Sequence, residues 1–90
     1  MNRKTYINNF GRKLKSWDRE IAKLEKKAEK ITQTLQKRID AVKQQRENAA
    51  AKTTDLLHSG EEAWGEIKNG AEVALTDLKK AFRKAKSKFK

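Results

Sequence analysis

The sequence has no cysteine and no proline, and it contains only four glycines and one histidine. Without cysteine there can be no disulfide, no thiolate zinc site and no cysteine nucleophile. There is also no glycine-rich phosphate loop and no run of about 18 apolar residues that could cross a membrane. We therefore expect a non-enzymatic, cytoplasmic protein that has no catalytic residue, no metal, no cofactor and no small-molecule substrate. We expect His58 to be a turn residue.

Charge is abundant and unevenly distributed. Charged residues make up 39% of the chain and the net charge is +11. Residues 1–15 carry a net charge of +5 and residues 79–90 carry +7, whereas residues 61–78 carry −4. Blocks of this kind influence partners and association more than they influence the fold. The basic blocks favour an anionic partner.

Apolar residues recur at alternating steps of four and three from Phe10 to Leu35. This spacing is typical of a coiled-coil stripe on an α-helix, and the alternation with period two that marks a strand is absent. The sequence therefore predicts an all-α protein whose long first helix covers about residues 5–57.

A second helix is predicted after a break near residues 58–60. Ser59 is followed three residues later by Glu62, which matches a capping box at a helix start. Apolar spacing of three and four then resumes at Trp64 and continues to Phe89, so the second helix should cover about residues 60–89. The predicted fold is a two-helix antiparallel hairpin or an elongated coiled coil, in a single domain of residues 1–90.

The two predicted helices differ in length, at about 72 Å and about 45 Å. In a hairpin the apolar residues near the N-terminus would therefore have no partner. Self-association, an additional bend in the first helix or docking on another surface would each cover them, and we favour self-association into a homo-oligomer. The predicted self-association stripe consists of Phe10, Leu14, Trp17, Ile21, Leu24, Ile31, Leu35, Trp64, Ile67, Leu78, Phe82 and Phe89.

The C-terminal segment, residues 77–90, forms a basic amphipathic helix in this interpretation. Its apolar face would carry Leu78, Phe82 and Phe89. Three explanations stay open: lysines that favour a helix C-terminus and solubility, contact with an anionic membrane, and non-specific contact with nucleic acid. The predicted anion-contacting residues are Lys79, Lys80, Arg83, Lys84, Lys86 and Lys88.

The stretch AWGEIKNGAEVALTDLKKAF also suggests a family. The matching positions are Ala63, Trp64, Ile67, Lys68, Gly70, Ala74, Leu78, Lys79, Ala81 and Phe89. Over about residues 18–89 the chain resembles small bacterial coiled-coil stress-response proteins with apolipoprotein-like helices, although its basic charge departs from their balanced or acidic charge. The resemblance implies helical hairpins or elongated helices and no catalytic residues.

Together these features predict a self-associating coiled-coil structural or stress-associated protein with a basic tail for anionic surfaces. The alternatives are a peripheral membrane or lipid-binding protein and a non-specific nucleic-acid-binding protein.

Overall fold

The chain forms three α-helices. In a computed structural model that describes residues 2–27 and 32–87, they are α1 (Arg3–Lys27), α2 (Gln33–His58) and α3 (Trp64–Lys86). The prediction of an all-α protein is confirmed. The prediction of two helices is wrong, because the long first helix expected over residues 5–57 is two helices.

Helix α2 has its own N-terminal cap. Thr32 is extended, with φ −80° and ψ 164°, and its side-chain oxygen accepts a hydrogen bond from the Leu35 backbone N–H at 3.1 Å. Threonine is a favoured residue at this position, because it satisfies one of the unpaired N–H groups of the first turn. At the end of α1, Lys26 and Lys27 suit the negative end of the helix dipole.

Helices α1 and α2 run antiparallel. Arg46 donates two hydrogen bonds to the Asp18 carboxylate, at 2.7 and 2.9 Å, and Lys43 pairs with Glu25 at 3.1 Å. Asp18 precedes Glu25 in α1, whereas their partners come in the opposite order in α2, with Lys43 before Arg46. Exposed pairs of this kind contribute at most about 1 kcal/mol each, so they fix alignment more than they stabilise the fold.

The turn between α2 and α3 differs from the predicted capping box. Helix α2 ends at His58, where the sequence predicts a break, but Ser59 caps α2 and its hydroxyl donates to the Leu56 carbonyl at 3.3 Å. Helix α3 begins four residues beyond the predicted start, and its N-cap, Ala63, forms no side-chain cap bond. Ser59 is therefore used by the preceding helix, and the predicted capping box is wrong.

Arg3 fastens the start of α1 to this turn. Its Nη2 donates to the Ser59 hydroxyl at 2.8 Å and to the Ser59 carbonyl, and its guanidinium lies 4.8 Å from the centre of the Trp64 ring. The last carbonyls of a helix have no hydrogen-bond partner within the helix, and a cation near them interacts favourably with the negative end of the helix dipole. Helices α1 and α3 consequently start at the same end of the molecule and run parallel.

The bundle measures 48 × 17 × 17 Å, and its interior holds two apolar clusters. The cluster near the α2–α3 turn consists of Tyr6, Phe10, Leu14, Ala49, Leu56, Ala71 and Ala74. The cluster toward the other end consists of Ile21, Leu24, Leu35, Ile39, Val42, Leu78 and Ala85. Both clusters draw residues from all three helices, so each helix contributes to both.

The predicted self-association stripe lies inside this bundle. Its buried members are Phe10, Leu14, Ile21, Leu24, Leu35 and Leu78. Its half-buried members are Trp17, Trp64, Ile67 and Phe82. Ile31 and Phe89 lie outside the described residues. An additional bend in the first predicted helix has thus covered the residues that would have lacked a partner in a hairpin.

Candidate anion-binding surface

Basic residues from all three helices meet at one end of the bundle. We call this end, formed by residues 19–27, 33–45 and 77–87, the basic end. Its cations are Arg19, Lys23, Lys26, Lys27, Lys37, Arg38, Lys43, Lys79, Lys80, Arg83, Lys84 and Lys86. Its acids are Glu20, Glu25, Asp40 and Asp77. The net charge of these described residues is therefore twelve minus four, or +8. A field of this sign and density attracts anions.

The basic segment of α3 has its apolar face turned inward. Leu78 and Ala85 are fully buried, while Ala81 and Phe82 are half-buried against the cluster at this end. Of the predicted anion-contacting residues, those on α3 are all exposed: Lys79, Lys80, Arg83, Lys84 and Lys86. Lys88 lies outside the described residues. The charged face of the predicted amphipathic helix is thus free to meet a partner, whereas its apolar face is occupied.

Most acidic side chains at the basic end form ion pairs or hydrogen bonds with residues of α1 and α2, not with the cations of α3. Lys23 lies 3.6 Å from Glu20, and Lys43 lies 3.1 Å from Glu25. The Asp40 carboxylate accepts from the Gln36 side chain at 2.8 Å. In the part of the chain that the structure describes, the five α3 cations of this end form no ion pair within 4.0 Å. No described carboxylate therefore neutralises their charge through a direct ion pair.

A groove between α2 and α3 gathers three of these cations. Arg38 on α2 and Lys80 and Lys84 on α3 line a space of about 350 Å³, which Asp77 borders further from the α3 C-terminus. Lys80 and Lys84 are one helical turn apart, so their Cβ atoms are about 6 Å apart. Arg38 supplies a planar guanidinium that can bind a phosphate through two hydrogen bonds. Together they form a short row of cations that could follow a phosphate backbone.

The predicted anion-contacting residues include the α3 cations of the basic end but none from α1 or α2. Lys26, Lys27 and Arg38 fall within the single long helix that the sequence predicts over about residues 5–57, which does not bring them together with the C-terminal cations. The signal that would have found them is the Thr32 cap, because a helix start there places the end of α1 beside the start of α2.

Other kinds of site have little support among the described residues. No group of three or more histidine, aspartate or glutamate side chains there is arranged to hold a metal ion. No helix in residues 2–27 and 32–87 has both the length and the apolar content needed to cross a bilayer. His58 is exposed at the end of α2.

Comparison with family models, with curated proteins and with solved structures gave no match to this chain. The resemblance to bacterial stress-response proteins therefore stays a prediction, and the functional argument rests on the bundle itself.

Proposed function

We propose that this protein is a non-enzymatic helical binding protein whose basic end binds the phosphates of nucleic acid without reading sequence. The observation that carries the proposal is the exposed, unpaired set of cations on α3, which faces Arg38 of α2 across a groove. Contacts to phosphates supply most of the affinity in non-specific nucleic-acid binding. Lysine and arginine side chains suffice for such contacts, and no catalytic group is required.

The burial of the α3 apolar face favours nucleic acid over a membrane as the partner. A basic amphipathic helix binds a bilayer by inserting its apolar face, in addition to its charge. Here Leu78 and Ala85 have no exposed surface, so insertion would require the bundle to open. Leu57 and Val73 are the large hydrophobic residues exposed in the described chain, and both lie outside the basic end. Binding to phosphates needs only the exposed cations and leaves the core intact.

The test is the salt dependence of binding to a labelled double-stranded DNA oligonucleotide, followed by fluorescence anisotropy. Affinity should fall steeply between about 50 and 200 mM salt, as counterions are released from the nucleic acid. In the double variant Lys80→Gln/Lys84→Gln, the slope of log K against log salt should become less negative by about 1.8, because each contact to a phosphate of double-stranded DNA contributes about −0.9. Scrambling the oligonucleotide sequence should leave the affinity unchanged.

The matched control is Lys4→Gln/Lys15→Gln, which removes the same charge from exposed positions outside the basic end. It should retain most of the affinity and the original slope. An equal loss in both double variants would show that net charge alone drives binding and would refute the proposed surface. Binding to anionic vesicles that excess oligonucleotide does not displace would favour the membrane alternative.

Self-association and a stress-associated role stay predictions. Association through the predicted stripe would compete with the bundle core, since six of its residues are buried there. Sedimentation at micromolar concentration tests it directly, because a monomer at all concentrations would contradict the predicted homo-oligomer. The stress-associated role is implied by the family resemblance alone.

A further inference from the structure

A second surface of interest lies between α1 and α3, outside the basic end. It is a groove of about 490 Å³, which falls in the size range of small-molecule sites. Tyr6, Phe10 and Leu75 supply its apolar lining, and Lys13, Lys68 and Glu72 supply charged side chains. Phe10 is only 2% exposed and Tyr6 only 9%, so the apolar lining is part of the packed core.

Large aromatic pairs explain why α1 and α3 leave a groove. Tyr6 packs edge-on against Trp64, with ring centres 5.7 Å apart, and Trp17 packs edge-on against Phe82, with ring centres 5.1 Å apart. Tyr6 and Trp17 are eleven residues apart on α1, which corresponds to about 16 Å along the helix. The rings hold the two helices apart at both positions. The lining of the groove runs along α1 from Tyr6 to Lys13, about 10 Å along the helix axis, and this length accommodates an extended molecule.

Two of the three charged groups in the groove already have partners. The Tyr6 hydroxyl donates to Glu72 Oε1 at 2.6 Å, and the Lys68 ammonium lies 5.2 Å from the centre of the Tyr6 ring. Burial of the phenol and its bond to Glu72 raise the pKa of Tyr6, so the hydroxyl stays a donor at neutral pH. The Tyr6 hydroxyl thus occupies one oxygen of Glu72, and the two lysines of the groove outnumber its one carboxylate.

Lys13 is a cation of the groove that forms no ion pair with a described carboxylate. Its side chain is exposed, and no described carboxylate lies within 4.0 Å of its ammonium. It lies one helical turn beyond Phe10, at the side of the groove nearer Trp17. An apolar lining with a free positive charge at one side is complementary to a molecule that has an apolar body and a single negative head group.

We propose that this groove binds an amphipathic organic monoanion of the medium-chain carboxylate type. The carboxylate pairs with Lys13, and the chain lies along the half-buried Leu75, between α1 and α3. A cationic amphiphile would meet repulsion from Lys13 and Lys68, and a neutral one would leave the charge of Lys13 unused. The groove contains no group placed to transform such a molecule, so it acts as a ligand and not as a substrate. This site is separate from the proposed nucleic-acid surface and does not depend on it.

The test is a titration of the isotope-labelled protein with decanoate below its micelle-forming concentration, followed by amide chemical shifts. Saturable shifts should appear at Phe10, Lys13 and Leu75. In Lys13→Gln the affinity should fall about two- to fivefold, the upper part of the range for an exposed charge pair. Leu75→Ala should weaken binding by a similar factor, since it removes apolar contact area.

Controls separate this site from general adsorption. Lys15→Gln makes the same charge change two residues away, at an exposed position that does not line the groove, and it should bind like the unaltered protein. Decanol should bind more weakly than decanoate by about the same factor as the Lys13→Gln loss. Shifts that never saturate, an equal loss in Lys15→Gln, or equal affinity for decanol and decanoate would each overturn the proposal. Circular dichroism confirms that each variant is folded.

Discussion

Replacement of Ile21 by alanine tests whether α1 packs within its own chain. Ile21 is 6% exposed and lies in the cluster with Ile39, Val42 and Leu78. The change removes three carbon atoms, which corresponds to about 2.4 kcal/mol at about 0.8 kcal/mol for each buried methylene. The cavity left behind adds to this loss, so the free energy of unfolding should fall by about 2–5 kcal/mol. The conservative change Ile21→Val should lower it by about 0.5–1.5 kcal/mol.

Urea unfolding at two protein concentrations, followed by far-ultraviolet circular dichroism, measures this loss. With a slope of about 1–3 kcal/mol per molar urea, Ile21→Ala should lower the midpoint by about 0.7 M or more. Val73→Ala is the control, because Val73 is 58% exposed and should change the free energy of unfolding by less than about 0.5 kcal/mol. The reasoning fails if the midpoint of the unaltered protein rises with concentration and Ile21→Ala abolishes that rise. The stripe would then be covered by a second copy of the chain.

Three further results are expected. Burial and the Glu72 bond raise the pKa of Tyr6 above its ordinary value of 10.0, so the stability it contributes is present below pH 10 and is lost as pH rises above it. Tyr6→Phe should flatten the fall in unfolding free energy above about pH 10. Gly65 is an exposed helical residue where an added Cβ meets nothing within 4 Å, so Gly65→Ala should raise the unfolding free energy by about 0.5–1 kcal/mol; a loss there would reveal an unrecognised contact. Asp18→Asn should lower that free energy by at most about 1 kcal/mol, and a loss that persists undiminished in high salt would contradict an ion-pair contribution.

The helical class and the apolar stripe could be predicted from the sequence because periodicity reports them directly. Leu14 and Leu24 are buried where the spacing places them on the inner face. The number of helices could not be predicted in the same way. The stripe keeps its phase from Leu24 through Ile31 to Leu35, so the spacing alone does not distinguish a continuous helix from two helices joined by a reversal.

The local capping signals at Thr32 and Ser59 do not by themselves determine where the helices begin. A cap contributes about 1 kcal/mol, which is less than the burial of one large side chain. The Thr32 cap alone therefore does not fix the start of α2. The chain reversal also depends on burial of the α1 apolar residues in the core of the bundle. Ser59 offers the same chemistry, but Arg3 binds it from the start of α1, 56 positions away in sequence. Such a contact depends on the folded bundle and has no local signature.

The position of the charged site depends on the same reversal. In a two-helix hairpin the basic C-terminal segment would lie beside the middle of one long helix. In the bundle it lies beside the end of α1 and the start of α2, and Lys26, Lys27 and Arg38 join it. The basic N-terminal segment, by contrast, runs beside the acidic start of α3, where Glu72 accepts from Tyr6. The N-terminal basic block thus lies at the end of the bundle that holds the acids of α3, while the C-terminal basic block lies with the cations of α1 and α2. The fold thus places one basic block at an end that also holds acids and the other at an end with further cations. Under the proposed function, we expect an anionic polymer to bind at the second end, in the groove between α2 and α3.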